Sequence, residues 1–276
     1  MKEIALNVYG KINLSLNIIG LRKNLHLLDS VLASVSLCDT IYVSKRKDNK
    51  VKLVFNAHFV PQNNTVTKAI DELKSKFGDF GVGITVDKRL PLSGGMGGSS
   101  ADAAGVIAAI SGLYGFDIEE TKDVCSRVGA DVYYMLSGGY AKMSGTGEII
   151  ERFDCLSEYD VVCIDDEGTL TGSVYKLYDE LGGEGFVDNE SLVLALQRGE
   201  IPQLGNMLTR AASALNGNIL RNLNALKSVG LSPNMTGSGA TVYAISTNPQ
   251  LDVDRLRQMG FNAYKAKTKL NGIEFL

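Results

Sequence analysis

Residues Pro91 to Ala104 read Pro-Leu-Ser-Gly-Gly-Met-Gly-Gly-Ser-Ser-Ala-Asp-Ala-Ala. An apolar run, 82–86, precedes them and an alanine-rich run, 101–113, follows. That order is a strand, a glycine loop and a helix start. Glycines admit positive φ and let a ligand come close to the backbone. Free amides ahead of a helix N-terminus make an anion site, and phosphate is the obvious anion. Ser99 and Ser100 fall where an N-cap belongs, and a hydroxyl there caps the helix or reaches a phosphate or Mg²⁺. Asp131 stands in an otherwise apolar stretch, Gly129-Ala-Asp-Val-Tyr-Tyr-Met-Leu136. Burying a carboxylate without a partner is costly. Capping of a 131–136 turn and a catalytic role both account for it. Taken alone, Lys11 reads as an exposed strand lysine and His26 as an ordinary surface or core histidine.

The loop departs from two common phosphate-binding templates. No lysine follows its glycines, as a P-loop requires. The strand before it ends in Asp87-Lys88-Arg89, and the helix after it leads to more helix, so no dinucleotide-binding βαβ unit is formed. Composition sets outer bounds. A chain of 276 residues with net charge −3 has no strong pull toward nucleic acid or membrane surfaces. Cys38, Cys125, Cys155 and Cys163 are scattered, which suggests neither a zinc site nor a disulfide framework. The opening Met-Lys-Glu-Ile-Ala lacks signal-peptide character, and no apolar run is long enough to span a membrane. A cytoplasmic enzyme acting on small molecules is the expectation.

The elements that must carry these residues follow from periodicity. Ile4, Leu6 and Val8, then Ile12, Leu14, Leu16 and Ile18, alternate with period two, as one long bent strand or two. Lys11 and Asn13 then share the face opposite Ile12 and Leu14. Residues 40–44 and 51–55 read as a strand pair across the charged turn 45–50. Asn63-Asn64-Thr65 opens a helix through Phe77. Helices are expected at 118–128, 173–181, 190–198, 201–214, 218–229 and 249–259, and strands at 159–164 and 261–267. His58 falls in a short loop and receives no role.

The glycine loop resembles the phosphate loop of the GHMP kinase family. Two further stretches fit that family, in order: Lys11-Ile-Asn13-Leu near the start and Met235-Thr-Gly-Ser-Gly-Ala-Thr241 near the end. Within the family the chain looks most like the branch that phosphorylates a cytidine-diphosphate-linked methylerythritol. Ser99 replaces that branch's last loop glycine, Met96 its leucine, and Leu25 the tyrosine of its Tyr-His pair. The resemblance implies an α+β fold of two domains: 1–152, like ribosomal protein S5 domain 2, and 153–276, ferredoxin-like. It implies γ-phosphoryl transfer from ATP, with Mg²⁺, to an alcohol. Lys11 and Asp131 become the catalytic pair, with Asp131 facing the substrate hydroxyl. Pro91, Gly94, Gly95, Gly97, Gly98, Ser99 and Ser100, with Asn64 and Lys88, become the ATP site. Asn13 and His26 hold the second substrate, and Ser99 or Ser100 serves as a metal ligand. Phe186 is a candidate to stack on the base opposite Leu25. A kinase of the same family with another alcohol, such as homoserine or mevalonate, and a non-catalytic nucleotide-binding relative are the alternative readings. A monomer and a homodimer fit equally.

Overall fold

The computed structural model describes residues 3–56 and 63–276; His58 lies outside them. Along the chain run β1 (Glu3–Arg22), β2 (Leu25–Arg46), β3 (Val51–Phe55), α1 (Thr65–Phe77), β4 (Gly81–Asp87), α2 (Gly98–Tyr114), α3 (Lys122–Val128), α4 (Val132–Ser137), β5 (Tyr140–Gly145) and β6 (Ile149–Arg152). Then come β7 (Asp160–Ile164), α5 (Thr171–Leu181), α6 (Asn189–Gln197), β8 (Gly205–Asn206), α7 (Thr209–Leu215), α8 (Gly217–Ser228), β9 (Pro233–Met235), β10 (Val242–Ile245), α9 (Pro249–Gln258), β11 (Ala263–Lys269) and β12 (Ile273–Phe275).

The alternating N-terminal run is one strand, bent by register irregularities at Tyr9/Gly10, Asn13/Ser15 and Ile18/Gly20. It pairs along its length with β2, which is equally long and which the sequence reading resolved only at 40–44. The expected pairing of 40–44 with 51–55 does not form. β4 lies between β2 and β3, antiparallel to the first and parallel to the second. Local alternation marks a strand but not its partner, and β4, an apolar strand from later in the chain, takes the place beside β2. The helix expected over 201–214 begins only at Thr209. The segment before it includes β8, which runs parallel to β1 beside Ser15 and Leu16.

Helices α1 to α4 cover one face of the β1–β2–β4 region. Leu6, Val8, Ile41, Val82 and Val86 meet Ile70, Ile107 and Ile110 there. α2 is buried almost all round, and its small residues let it lie close to the sheet: a Cβ on Gly105 would run into Val8 and Ile41. In the second half, Val162, Val242 and Ala244 pack against Val174, Ala212, Leu226 and Leu256. A third cluster joins the halves, with Ile12, Leu14 and Val31 against Val161, Cys163 and Tyr243. β11 spans the same seam: its first residues pair with β7, and Thr268 and Lys269 pair with β2.

Candidate active site

A cleft of about 1640 Å³ runs between the two halves, and every site residue nominated from the sequence except Phe186 borders it. Its floor is the loop 91–98 and the first turn of α2. Gly97 precedes the helix in the left-handed region, at φ 71°. The N-cap, Gly97, has no side chain to cap this helix, so the capping account of Ser99 and Ser100 fails; both lie inside its first turn. The first turn carries no acidic residue, so its amides face the cleft without an internal anion.

The loop is held from behind by residues 235–241. Thr241 N donates to Gly94 O at 3.1 Å, and Thr236 Oγ1 donates to Gly95 O at 3.1 Å. Gly95 sits at φ 79°, and a Cβ there would overlap the Thr236 carbonyl oxygen. On the other side Lys11 N donates to Met96 O at 2.9 Å. The first, second and third sequence motifs therefore meet backbone to backbone.

The Lys11 side chain is buried, and Nζ donates to Asn13 Oδ1 at 2.6 Å. Burial pushes its ammonium below the ordinary lysine value, and the Asp131 carboxylate partly opposes that shift. Asn13 Oδ1 also accepts from Gly237 N at 2.9 Å, and Asn13 Nδ2 donates to Ser30 Oγ at 2.9 Å. Asn13 borders the cleft, yet its amide is engaged in orienting Lys11 and the third motif. Asn206, which received no role from the sequence, donates to Met235 O and Gly237 O, each at 2.8 Å. Asp131 stands where α4 begins, but its side chain makes no capping bond. That removes the structural explanation for a carboxylate in this run and leaves it facing the cleft.

Asn64 caps α1, accepting from Val66 N and Thr67 N, and borders the cleft as well. Lys88 is pinned between two buried carboxylates, Asp39 and Asp102, with Asp102 Oδ2 at 2.7 Å. Burial works against its charge, but the two carboxylates outweigh that and raise its pKa. Asp39 also accepts from Leu90 N at 2.7 Å and from Arg89 N. Asp102 is the odd member. Burial, opposed by Lys88 and reinforced by Asp39, pushes its carboxyl up to about 7, and its Oδ1 has no hydrogen-bond partner among the described residues. One ammonium cannot balance two buried carboxylates, and a proton on Asp102 settles the account.

At the far end His26 lies against Tyr175, with ring centroids 4.7 Å apart, and edge-on to Tyr178 at 6.0 Å. Its Nε2 donates to Asp179 Oδ1 at 2.7 Å. Leu25 borders the cleft mouth and is 58% exposed. Phe186 is 61% exposed and is not among the residues bordering the cleft, so the stacking role suggested for it is not supported. The rings beside His26 come instead from α5. Tyr175 stood in view in the sequence, in Thr171-Gly-Ser-Val-Tyr175, but nothing local tied it to His26.

Among the described residues no group of three or more His, Cys, Asp or Glu side chains stands ready to hold a metal. Magnesium that rides on nucleotide phosphates needs only one or two protein oxygens. Ser99, Ser100 and Asp131 are oxygens of that kind on the cleft wall, so the residues fit the ion.

The profile for the GHMP kinases N terminal domain matches residues 64–139. The 4-diphosphocytidyl-2-C-methyl-D-erythritol kinase of Thermoanaerobacter pseudethanolicus is 33% identical over 94% of this chain and 91% of its own length. The kinase of the same name from Clostridium perfringens is 30% identical over 97% of this chain and 96% of its own. A crystal structure of 4-(cytidine 5'-diphospho)-2C-methyl-D-erythritol kinase superposes with a TM-score of 0.79 at 26% identity, covering 96% of this chain and 98% of that one. The chain belongs to the GHMP kinase family, in the branch of these kinases, and its α+β fold is the fold of that family. It is an ATP-dependent phosphotransferase.

Proposed function

We propose that the chain transfers the γ-phosphoryl group of ATP to the 2-hydroxyl of 4-diphosphocytidyl-2-C-methyl-D-erythritol, a step in non-mevalonate isoprenoid precursor synthesis. The observation that carries this reading is a single cleft. It holds an open helix N-terminus at one end, Lys11 and Asp131 in the middle, and an aromatic pair with a polar edge, His26 and Tyr175, at the other.

The loop amides and the first turn of α2 receive the phosphates. Asn64 borders the nucleotide's end of the cleft. Lys88 acts there through its two carboxylates, by fixing residues 88–90 ahead of the loop. The substrate hydroxyl oxygen attacks the γ-phosphorus, its proton passes to Asp131, and the bond to the ADP oxygen breaks. Lys11, held by Asn13, places its charge beside the hydroxyl and the transferred group. Ser99 or Ser100 would help hold Mg²⁺, which would neutralise phosphate charge. His26 and Tyr175 offer a flat apolar face and a ring edge to the base.

A coupled ADP-release assay with the cytidyl substrate tests the reading, with homoserine and mevalonate as comparison alcohols. Turnover of the cytidyl compound that Asp131→Ala abolishes is expected. Turnover confined to homoserine or mevalonate would overturn the substrate while keeping the reaction.

A further inference from the structure

Nothing in the phosphoryl-transfer step uses Asp179, yet it makes the one polar contact described for the His26 ring. It stands on α5, from the half of the molecule opposite to His26, one turn beyond Tyr175. Tyr175 lies against the same imidazole and Tyr178 meets it edge-on, so three residues of one helix fix the ring's plane and rotation. The histidine side chain is only 14% exposed, whereas Asp179 is 51% exposed.

We propose that Asp179 is a positioning residue that sets which base the acceptor substrate carries; this rests on the cytidyl substrate proposed above. A carboxylate accepts and does not donate, so the nitrogen that faces it carries the hydrogen. His26 Nε2 is thereby the protonated nitrogen, and in the neutral ring Nδ1 is left as an acceptor. An acceptor suits the exocyclic amine of cytosine, which donates, and is mismatched to the corresponding oxygen of uracil, which accepts. A site built to pair with an amine rejects the analogue that lacks it, because its own polar atom is then left unpaired. The discrimination resides in His26, and Asp179 decides its sign.

Two measurements test this. In the first, kcat/KM is compared for the cytidine- and uridine-diphosphate-linked methylerythritols. Wild type is expected to favour the cytidyl compound, and Asp179→Ala to lose about tenfold of that preference, chiefly through the cytidyl KM. Asp179→Asn, which keeps an acceptor oxygen, is expected to retain most of it. A merely structural defect would weaken both substrates alike, so an unchanged ratio in Asp179→Ala overturns the proposal. In the second, ¹⁵N NMR of a His58→Gln protein, whose only remaining histidine is His26, reads the tautomer directly and needs no variant of Asp179. A bare Nδ1 with protonated Nε2 is expected, and a neutral ring protonated on Nδ1 overturns the assignment. Wild type that turns over neither compound overturns the proposed reaction instead, and the NMR measurement still decides the role of Asp179.

Discussion

Lys11 and Asp131 show how much context alters a residue. A lysine on an alternating strand is ordinarily solvated, but here it is buried, and among the described residues the side-chain oxygen hydrogen-bonded to its Nζ is that of Asn13. Lys11→Ala and Asp131→Asn are each expected to lower kcat by roughly 10²- to 10⁴-fold. Nucleotide affinity, measured by calorimetry, should change little in Asp131→Asn, because that residue is placed at the acceptor hydroxyl. Asp102 makes a prediction of a different kind. Its carboxyl is raised from 3.8 to about 7 in the fold, so the folded state holds a proton that the unfolded chain releases earlier. The stabilisation is complete below about pH 4 and is lost as pH rises through about 7. Asp102→Asn keeps the shape and cannot ionise. Its melting temperature relative to wild type is expected to rise between pH 5 and pH 8, and a constant difference across that range would contradict the assignment.

At the scale of elements, the glycine loop is a joint between strands rather than a free flap. Gly95 needs its positive φ and also lies against the Thr236 carbonyl, so neither requirement can be relaxed alone. Gly95→Ala is expected to cost about 1–3 kcal/mol in stability, read by urea denaturation, and to raise the KM for ATP. Asn206 acts on the same joint from the other side. Asn206→Ala removes the donor to Met235 O and Gly237 O and leaves the buried Met235 carbonyl and the half-buried Gly237 carbonyl without it. A loss of about 1–3 kcal/mol is expected, with a fall in kcat as residues 235–241 loosen behind Lys11.

For the whole molecule, the segments on either side of the expected boundary near residue 153 share a sheet and a hydrophobic cluster. Ile12, Leu14 and Val31 are buried against Val161, Cys163 and Tyr243, and β12 pairs with β1 near the N-terminus. Cutting there exposes apolar surface on both pieces. Calorimetry is expected to show one cooperative unfolding transition, and the segment 1–152 made alone is expected to show no sharp transition; two separate transitions would mark independent domains.

The sequence by itself determined the local pieces. The glycine loop, the helix behind it, the capping of α1 by Asn64 and the alternation of β1 all depend on neighbours a few residues apart, and each could be read from the residues. The order of the three motifs likewise pointed to the family and to a carboxylate and a lysine as the reacting pair. Only the tertiary structure decided what those pieces touch. It put β4 between two strands expected to pair, left 201–208 of an expected helix non-helical with Gly205 and Asn206 beside β1, and tied Asn13 to Lys11. It pinned Lys88 between two carboxylates, and it supplied from α5 the rings and the aspartate that surround His26. The physical reason is the range of the forces involved. Backbone preference and capping act over a turn or two, whereas burial, desolvation and ion pairing depend on which distant segments the packed core brings within a few ångströms.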